Sequence, residues 1–205
     1  MKNFSIEKVI KENINEVRVF KETKRKKIFR VVLDESVVRL DVDPIEHTKW
    51  YNEISRLQTE AYRNKILVAK VIVEGAMSDF YYKISEWIEG ASALKFQDNV
   101  STFVDSGKLL GRMNTIKVDG GFLTNSDFYG KNILISKDLK IYMIDVDALK
   151  VRSGDDLDHT VVKSILLWTG IGKGNIIKFL EGYSVYRNPI KILEEIEKRN
   201  WVWRR

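Results

Sequence analysis

The sequence predicts an α+β fold of two lobes, a β-rich lobe over residues 1–88 and a small α-rich lobe over residues 89–205. Three observations lead to this prediction. Short apolar runs of strand length dominate the first part of the 205-residue chain. A small-residue break, Glu89-Gly90-Ala91-Ser92, follows them and is typical of a domain boundary. Beyond the break, apolar residues recur mainly at helical spacing.

In the first lobe, the pattern predicts an opening helix over residues 5–17, with Ser5 as its cap. A second helix is expected over residues 45–63, directly after Pro44. The remaining apolar runs of this lobe are predicted strands, separated by polar loops and turns. The strands are expected at 17–20, 28–33, 37–42, 66–73 and 80–88, with a loop at 21–27 and turns at 34–36 and 75–79.

In the second lobe, amphipathic periodicity predicts four helices and two short apolar runs predict one β-hairpin. The helices are expected at 101–116, 155–168, 175–183 and 189–201. The hairpin strands are 133–135 and 141–144, joined by a polar turn at 136–140.

The hairpin lies inside the stretch that organises the functional prediction, residues 123–149. Asp127 and Asn132 precede its first strand, and Asp145 follows its second. A short hairpin folds its two ends together, so we expect Asn132 and Asp145 to be neighbours with Asp127 close by. Carboxylate and amide oxygens that converge in this way suit Mg²⁺, a hard cation that takes few protein ligands together with substrate phosphates.

Composition limits the other classes of function. The chain has no cysteine, which excludes disulfides and thiolate metal sites, and its two histidines, His47 and His159, disfavour a zinc enzyme. No apolar run approaches the length of a membrane span and no secretory signal is visible, so we expect a cytoplasmic protein. The net charge of +6 favours anionic partners such as nucleotides, nucleic acid, phosphorylated sugars or an anionic membrane face. A solvated basic face without a specific partner is the alternative.

Two segments, Asn125-Ser126-Asp127-Phe128-Tyr129-Gly130-Lys131-Asn132-Ile133-Leu134 and Ile144-Asp145-Val146-Asp147, resemble paired motifs of the protein-kinase-like superfamily. The resemblance covers about residues 17–183 and is closest to the small-molecule branches: aminoglycoside phosphotransferases, choline kinases and kinases of lipopolysaccharide core sugars. It implies a two-lobed protein-kinase-like fold with a nucleotide between the lobes.

The resemblance also implies roles for individual residues, with ATP and Mg²⁺ as cofactors. Asp127 matches the catalytic-loop Asp that accepts or orients the proton of the acceptor hydroxyl. Asn132 and Asp145 match the two metal ligands. Asp147 stands where small-molecule kinases often carry a further acidic residue.

For the first lobe, the resemblance implies that Arg39 contacts phosphate and pairs with Glu53 of the following helix, where Glu60 is the alternative partner. Residues 85–90 resemble the hinge between the lobes. The backbone around Glu86 and Ile88 would bind the adenine edge, with Ile144 as an apolar wall.

The chain departs from the family pattern in several places, including the phosphate-covering loop and the catalytic loop. Residues 20–27, which correspond to the phosphate-covering loop, contain no glycine. We therefore hypothesise that Lys24, Arg25, Lys26 or Lys27 contacts phosphate by charge; a solvated charged turn is the alternative. The catalytic-loop His of the motif is replaced by Asn125.

The sequence therefore favours an ATP- and Mg²⁺-dependent phosphotransferase that acts on a hydroxyl of a small molecule or sugar, including lipopolysaccharide-type sugars and anionic acceptors. A minimal atypical protein kinase and a non-catalytic, nucleotide-binding pseudokinase are the alternatives. A basic nucleic-acid-binding module is a further alternative that depends on charge alone, because no specific nucleic-acid motif is present.

Overall fold

The structure, a computed structural model, describes residues 5–23, 26–77, 79–168 and 172–198. Its contacts divide the chain into two compact units. The first unit consists of Met1–Thr59 and Ala69–Ile88, and the second of Glu60–Val68 and Glu89–Arg205. The predicted mixture of a β-rich sheet and several helices is confirmed, and each unit has its own architecture.

The first unit contains one five-stranded antiparallel sheet with the strand order β1-β2-β3-β5-β4. One long helix, α1, follows the third strand after a short 3-10 turn, and its residues 60–63 belong to the second unit. The bounds are β1 Ile14–Glu22, β2 Lys27–Leu33, β3 Val37–Pro44, α1 Thr48–Arg63, β4 Val71–Met77 and β5 Phe80–Glu86.

The two faces of this sheet differ because residue types alternate along its central strands. One face is apolar: Val38, Leu40 and Val42 of β3 pack with Phe29 and Ile84 in a buried cluster. The other face carries the intervening polar residues of β3 and β5. Helix α1 packs on that polar face, where the buried residues Tyr51, Ser55 and Gln58 contact β5 or the segment before β4.

In its described residues, the second unit combines four α-helices with two three-stranded antiparallel sheets. One sheet has the order β10-β9-β6 and the other β11-β8-β7. The strands are β6 Gly90–Ser92, β7 Lys117–Val118, β8 Gly121–Asn125, β9 Ile133–Ser136, β10 Ile141–Met143 and β11 Leu149–Arg152. The helices are α2 Val100–Met113, α3 Gly154–Leu166, α4 Lys173–Ser184 and α5 Ile190–Lys198.

Helices α2 and α4 cross with their backbones in close approach, because each contributes glycine at the crossing. A Cβ on Gly107 would lie 1.9 Å from the carbonyl oxygen of Phe179, and one on Gly182 would lie 1.9 Å from that of Val104. Only glycine fits at such a distance. The buried Phe103, Leu110 and Phe179 of the two helices contribute to the core of the unit.

Two of the predicted elements are wrong. The opening helix is a 3-10 turn over Ile6–Lys8 followed by strand β1, which already begins at Ile14. Its helix-like apolar spacing arises because Ile6, Val9 and Ile14 pack against the apolar face of the sheet, together with the buried Ile10.

The predicted strand at 66–73 is the second error. Strand β4 begins only at Val71 and includes Gly75, for which the sequence predicts a turn. Residues 66–68 belong to the second unit, where the amide N–H of Met143 donates to the carbonyl of Leu67 at 2.9 Å and Val68 forms an isolated bridge with Met143.

The remaining helices and the 133–144 hairpin lie close to their predicted positions. The last predicted helix ends at Lys198 in the described part of the chain, and its final residues, 199–201, lie outside it. Among the described residues, no helix has the length and apolar character that crossing a membrane requires.

Candidate active site

Asn125 occupies the centre of the candidate site in the second unit. It is the last residue of β8 and is fully buried. Its side-chain Nδ2 donates to the backbone carbonyl of Asp145 at 2.7 Å, and its Oδ1 accepts the backbone N–H of Asp127 at 2.8 Å. One amide side chain thus connects the loop that carries Asp127 with the segment that carries Asp145.

Asn132 fixes the side chain of Asp127. It ends the 3-10 turn Gly130–Asn132, and its Nδ2 donates to both the backbone carbonyl and the carboxylate Oδ2 of Asp127, each at 2.9 Å. The donors of Asn132 therefore point at Asp127. In the described part of the chain, the Asn132 Oδ1 and the Asp127 Oδ1 accept no hydrogen bond, so both oxygens are available to a ligand.

The hairpin places Asp145 beside Asn132. Strands β9 and β10 are antiparallel with Ile133 opposite Met143, and the N–H of Ile144 donates to the carbonyl of Asn132 at 3.0 Å. Asp145 is the next residue and begins the 3-10 turn Val146–Ala148. The structure thus brings together the three predicted residues Asp127, Asn132 and Asp145.

The loop between Asn125 and Asn132 is anchored from several elements. The indole N–H of Trp168 donates to the carbonyl of Phe128 at 3.3 Å, and the hydroxyl of Ser92 donates to the carbonyl of Gly130 at 2.8 Å. The N–H of Ser126 donates to the carbonyl of Ala148 at 3.0 Å. Because these contacts come from three separate segments of the second unit, the loop that carries Asp127 is anchored to the rest of that unit.

The oxygens of this site suit a hard cation. Within the described ranges, no group of three or more His, Cys, Asp or Glu side chains is arranged to hold a metal ion. An ion here would therefore depend on Asp145, the amide oxygen of Asn132 and ligands from outside the protein. Few protein oxygens combined with substrate phosphates are the usual environment of Mg²⁺, so the donor set fits that ion.

In the first unit, Arg39 forms a bidentate ion pair with Asp41 on the same strand, with Nε–Oδ2 and Nη2–Oδ1 distances of 2.9 Å. Lys26 reaches the same carboxylate at 3.2 Å. Burial tends to raise the pKa of Asp41, but the positive charges of Arg39, Lys26 and Lys83 outweigh it and hold that pKa well below its usual range. Asp41 is therefore a buried, ionised carboxylate.

The predicted Arg39–Glu53 pair is wrong. Glu53 lies on the exposed side of α1 and forms a bidentate pair with Arg56, three residues further along the same helix, at 2.8 and 2.9 Å. That pairing lowers the pKa of Glu53. The buried cation that meets α1 is instead Lys83 of β5, whose Nζ donates to the Oε1 of Gln58 at 3.2 Å.

In the segment with Glu86 and Ile88, Glu86 is hydrogen-bonded to another part of the chain, whereas the backbone of Ile88 is available to a ligand. Glu86 exchanges hydrogen bonds with Lys70: its N–H donates to the Lys70 carbonyl at 3.0 Å and its carboxylate accepts the Lys70 N–H at 3.1 Å. The N–H of Trp87 donates to the carbonyl of Val37. Ile88 is half-buried and makes no hydrogen bond with the rest of the described chain. Ile144, the other predicted wall residue, lies half-buried in the second unit.

Sequence reasoning missed three buried residues, Asp41, Lys83 and Gln58. The available signal was the alternation of polar with apolar residues along β3 and β5, since such polar residues at every second position must share one face of a sheet. The bridging role of Asn125 had no comparable signal, because it depends on contacts with residues that are distant in the chain.

Comparisons with known proteins show the fold. No family model matches the chain, and no curated protein matches it in sequence. Among solved structures, the chain is similar to spectinomycin phosphotransferase, APH(9)-Ia, in complex with ADP and spectinomycin, with a TM-score of 0.68 and 13% identity. The alignment covers 95% of this chain and 82% of that chain. The fold is therefore like that of an aminoglycoside-type, kinase-like phosphotransferase, which confirms the expected resemblance at the level of the fold.

Proposed function

We propose that this protein is an ATP- and Mg²⁺-dependent phosphotransferase that moves the γ-phosphoryl group to a hydroxyl of a small molecule or sugar. The observation that carries the proposal is the hydrogen-bonded group of Asn125, Asp127, Asn132 and the Asp145 backbone. The group joins a carboxylate that has one oxygen without a hydrogen bond in the described chain, an amide and the backbone of a second acidic residue. Phosphoryl transfer depends mainly on positioned groups of these kinds.

Asp127 is the residue whose carboxylate would contact the acceptor. Its Oδ2 is occupied by the amide of Asn132, so Oδ1 is left to accept a hydrogen bond from the acceptor hydroxyl. In that position it would orient the hydroxyl oxygen toward the γ-phosphorus and take up its proton as the new P–O bond forms, while the bond from the γ-phosphorus to the β-phosphate oxygen breaks and ADP leaves. The backbone bond from Asp127 to Asn125 keeps the carboxylate in place.

Asn132 and Asp145 are the residues that would hold the metal. The Nδ2 of Asn132 donates to Asp127, which leaves the Oδ1 of Asn132 as a neutral ligand, and Asp145 would supply negative charge. Bound Mg²⁺ neutralises the charge of the transferring phosphates. For the first unit, the resemblance alone implies that Arg39 contacts phosphate and that the backbone of Ile88 binds the edge of the base.

Support for the partners comes from the structural neighbour, which was solved in complex with ADP and spectinomycin. A nucleotide and a small hydroxyl-bearing acceptor are therefore the partners we propose. The net charge of +6 extends the proposal to anionic acceptors, including phosphorylated or lipopolysaccharide-type sugars, and to contact with an anionic surface.

The experiment is transfer from γ-labelled ATP, with Mg²⁺, to a panel of amino alcohols, aminoglycosides, neutral sugars, sugar phosphates and proteins. Asp127→Asn is the inactive comparison, and Asp138→Asn, an exposed carboxylate of the hairpin turn, is the matched control. We expect the wild type and Asp138→Asn, but not Asp127→Asn, to label a small hydroxyl compound. Labelling of proteins only would favour a minimal protein kinase, and ATP binding without transfer or hydrolysis would favour a pseudokinase.

A further inference from the structure

A groove in the second unit lies between helix α2 and the turn of the β9–β10 hairpin. It contains a cavity of about 220 Å³, here called the α2–hairpin groove. Its walls come mainly from α2, from the turn and the start of β10, and from residues 65–67, which follow helix α1. All of these residues belong to the second unit.

The groove is separate from the candidate active site. Asn132 and Asp145 flank the open end of the hairpin, whereas Leu139 and Ile141 of the groove lie at its turn. Asp127 does not line the cavity either. A ligand in the groove would therefore leave the carboxylate proposed for the acceptor and the residues proposed for the metal accessible.

Backbone hydrogen bonds join the walls of the groove, so its shape exists before a ligand binds. The N–H of Met143 in β10 donates to the carbonyl of Leu67 at 2.9 Å, which holds the 65–67 segment against the hairpin. In the turn, the N–H and the hydroxyl of Ser136 both donate to the carbonyl of Lys140, at 2.9 and 3.1 Å. A site whose walls are already fixed loses little conformational entropy on binding.

Part of the lining is aliphatic. Leu109 of α2 and Ile141 of β10 are buried, and Leu67 is half-buried. Leu139 is 78% exposed at the hairpin turn, so folding gains little from its apolar side chain. A ligand with an apolar group would cover this surface.

Two residues of the groove have a backbone conformation that bulky side chains rarely adopt. Among the described residues, three that are not glycine have positive φ, and two of them, Lys65 at 59° and Leu139 at 60°, line this cavity. Glycine and asparagine are the usual residues in this conformation. Strained backbone of this kind is concentrated at binding and functional sites.

The charged residues of the groove are mostly cations. Lys65, Lys108 and Arg112 line it together with one carboxylate, Asp105, which leaves a net charge of +2. Lys108 pairs with Asp105 at 3.0 Å. In the described part of the chain, the side chains of Lys65 and Arg112 form no ion pair. Lys108 and Arg112 also stand four residues apart on α2, where like charges repel, so an anion between them would stabilise the helix.

We infer that the α2–hairpin groove binds a small organic phosphate, that is, a phosphate group joined to a short apolar group. The guanidinium fork of Arg112 can bind two phosphate oxygens, and the two lysines add charge. A phosphate monoester carries about −1.5 to −2 charges at pH 7, which matches the net charge of the groove. The aliphatic residues hold the apolar group. This site goes beyond the proposed function and requires no catalysis.

The size of the cavity limits the ligand. Its volume of about 220 Å³ lies below the range of about 300–1,000 Å³ that holds drug-sized ligands. It equals the volume that roughly seven water molecules take in the liquid. A short apolar group fits in this space, whereas the two long acyl chains of a membrane lipid do not. The ligand is therefore a free small molecule.

The test is calorimetric titration of the full chain with butyl phosphate, orthophosphate and 1-butanol in phosphate-free buffer of constant ionic strength. The variants are Arg112→Gln, Lys65→Gln and Leu139→Asn. Arg152→Gln is the matched control, because Arg152 of β11 is also half-buried and lies outside the groove. Sedimentation with anionic phosphatidylglycerol vesicles tests a membrane surface as the alternative partner.

We expect the wild type and Arg152→Gln to bind butyl phosphate about tenfold more tightly than orthophosphate, and 1-butanol least. Arg112→Gln should weaken butyl phosphate binding by about tenfold or more, and the exposed Lys65 should contribute a smaller factor. Leu139→Asn should weaken butyl phosphate binding and leave orthophosphate binding unchanged. Its thermal midpoint should equal or exceed that of the wild type, because asparagine tolerates positive φ better than leucine.

The inference is overturned if the wild type binds orthophosphate as tightly as butyl phosphate or binds neither. It is also overturned if Arg112→Gln and Lys65→Gln bind like the wild type, or if the protein binds only the vesicles. If Arg112→Gln unfolds, the exposed Lys65→Gln and Leu139→Asn carry the test. These outcomes are independent of the proposed function, because the titrations contain no ATP and measure no transfer.

Discussion

Asn125 donates a hydrogen bond of 2.7 Å from its buried side chain to the backbone carbonyl of Asp145. The same side chain accepts the backbone N–H of Asp127. Asn125 stands where the kinase-like motif has a histidine, and this substitution is the main departure within the motif. The structure shows that the asparagine spans the two acidic segments, with a donor for one and an acceptor for the other.

Replacing Asn125 should therefore damage the site through the positions of its neighbours. Asn125→Leu removes both hydrogen bonds and leaves two backbone groups unsatisfied. We therefore expect the free energy of unfolding to fall by about 1–3 kcal/mol. We also expect kcat to fall by about tenfold or more, with a smaller change in the KM for ATP. Asn125→His should retain more activity than Asn125→Leu, because an imidazole can still donate to the Asp145 carbonyl. Steady-state kinetics and urea denaturation measure both effects; equal activity in the two variants would contradict this role.

The buried carboxylate of Asp41 should contribute stability that acid removes. The pKa of Asp41 in the folded protein lies below its unfolded value of 3.8, so its contribution is complete above about pH 4 and is lost as the pH falls toward the folded pKa. Asp41→Asn should lower the free energy of unfolding near neutral pH by about 3–5 kcal/mol, because Arg39, Lys26 and Lys83 would keep their charges without this partner. Asp138→Asn, at an exposed turn, is the control and should unfold like the wild type. A variant at Asp41 that keeps the full acid sensitivity of the wild type would refute this account.

Gly182 should tolerate no side chain at the crossing of α2 and α4. A Cβ there would lie 1.9 Å from the backbone carbonyl of Val104, so Gly182→Ala must separate the helices and should cost about 1–3 kcal/mol or more. Gly174→Ala in the same helix is the matched control, because no atom outside its own stretch of helix lies within 4 Å of the place that a Cβ would take. Helix propensity predicts a gain of up to about 1 kcal/mol for that variant. Denaturant unfolding measures the stability of both glycine variants. A similar loss of stability in Gly182→Ala and Gly174→Ala would show that the close approach of the two helices is not the cause of the loss.

Tyr183 should make the second unit sensitive to alkali. Burial raises the pKa of its hydroxyl above the ordinary value of 10.0, although the hydrogen bond from Asn114 and the charge of Arg187 act in the other direction. Its contribution is therefore complete below about pH 10 and is lost as the pH rises through the higher folded pKa. Tyr183→Phe leaves the buried Nδ2 of Asn114 without its partner and should cost about 1–3 kcal/mol at neutral pH. The difference between the two proteins should shrink as the pH increases above 10; a constant difference would contradict the assignment.

The sequence predicted the elements that have a clear period or turn. Strands β2, β3 and β5 alternate strongly, and the hairpin of β9 and β10 is bounded by a polar turn, so their positions agree with the prediction. Strands β6, β7 and β8 have only two to five residues, too few to show a period, and were not predicted.

The errors share one physical cause, which is that packing between distant segments can imitate a local pattern. The spacing of Ile6, Val9 and Ile10 arises from packing on a sheet, and the apolar run at 66–70 includes residues buried in the other unit. For the site, motif spacing was enough to bring Asp127, Asn132 and Asp145 together. The pairing of Glu53 could not be inferred, since the choice between Arg39 and Arg56 depends on which side of α1 faces the sheet.

The most direct test of the central claim compares Asp127→Asn with the wild type in two measurements on the same preparations. One is the single-turnover rate of phosphoryl transfer from ATP to the best acceptor of the panel, and the other is the Kd of the Mg²⁺–ATP complex. Because Asp127 is proposed to act on the acceptor hydroxyl, its loss should lower the transfer rate by about a hundredfold or more and change the Kd by less than about threefold. A transfer rate within about threefold of the wild type would contradict the claim that Asp127 carries the chemistry.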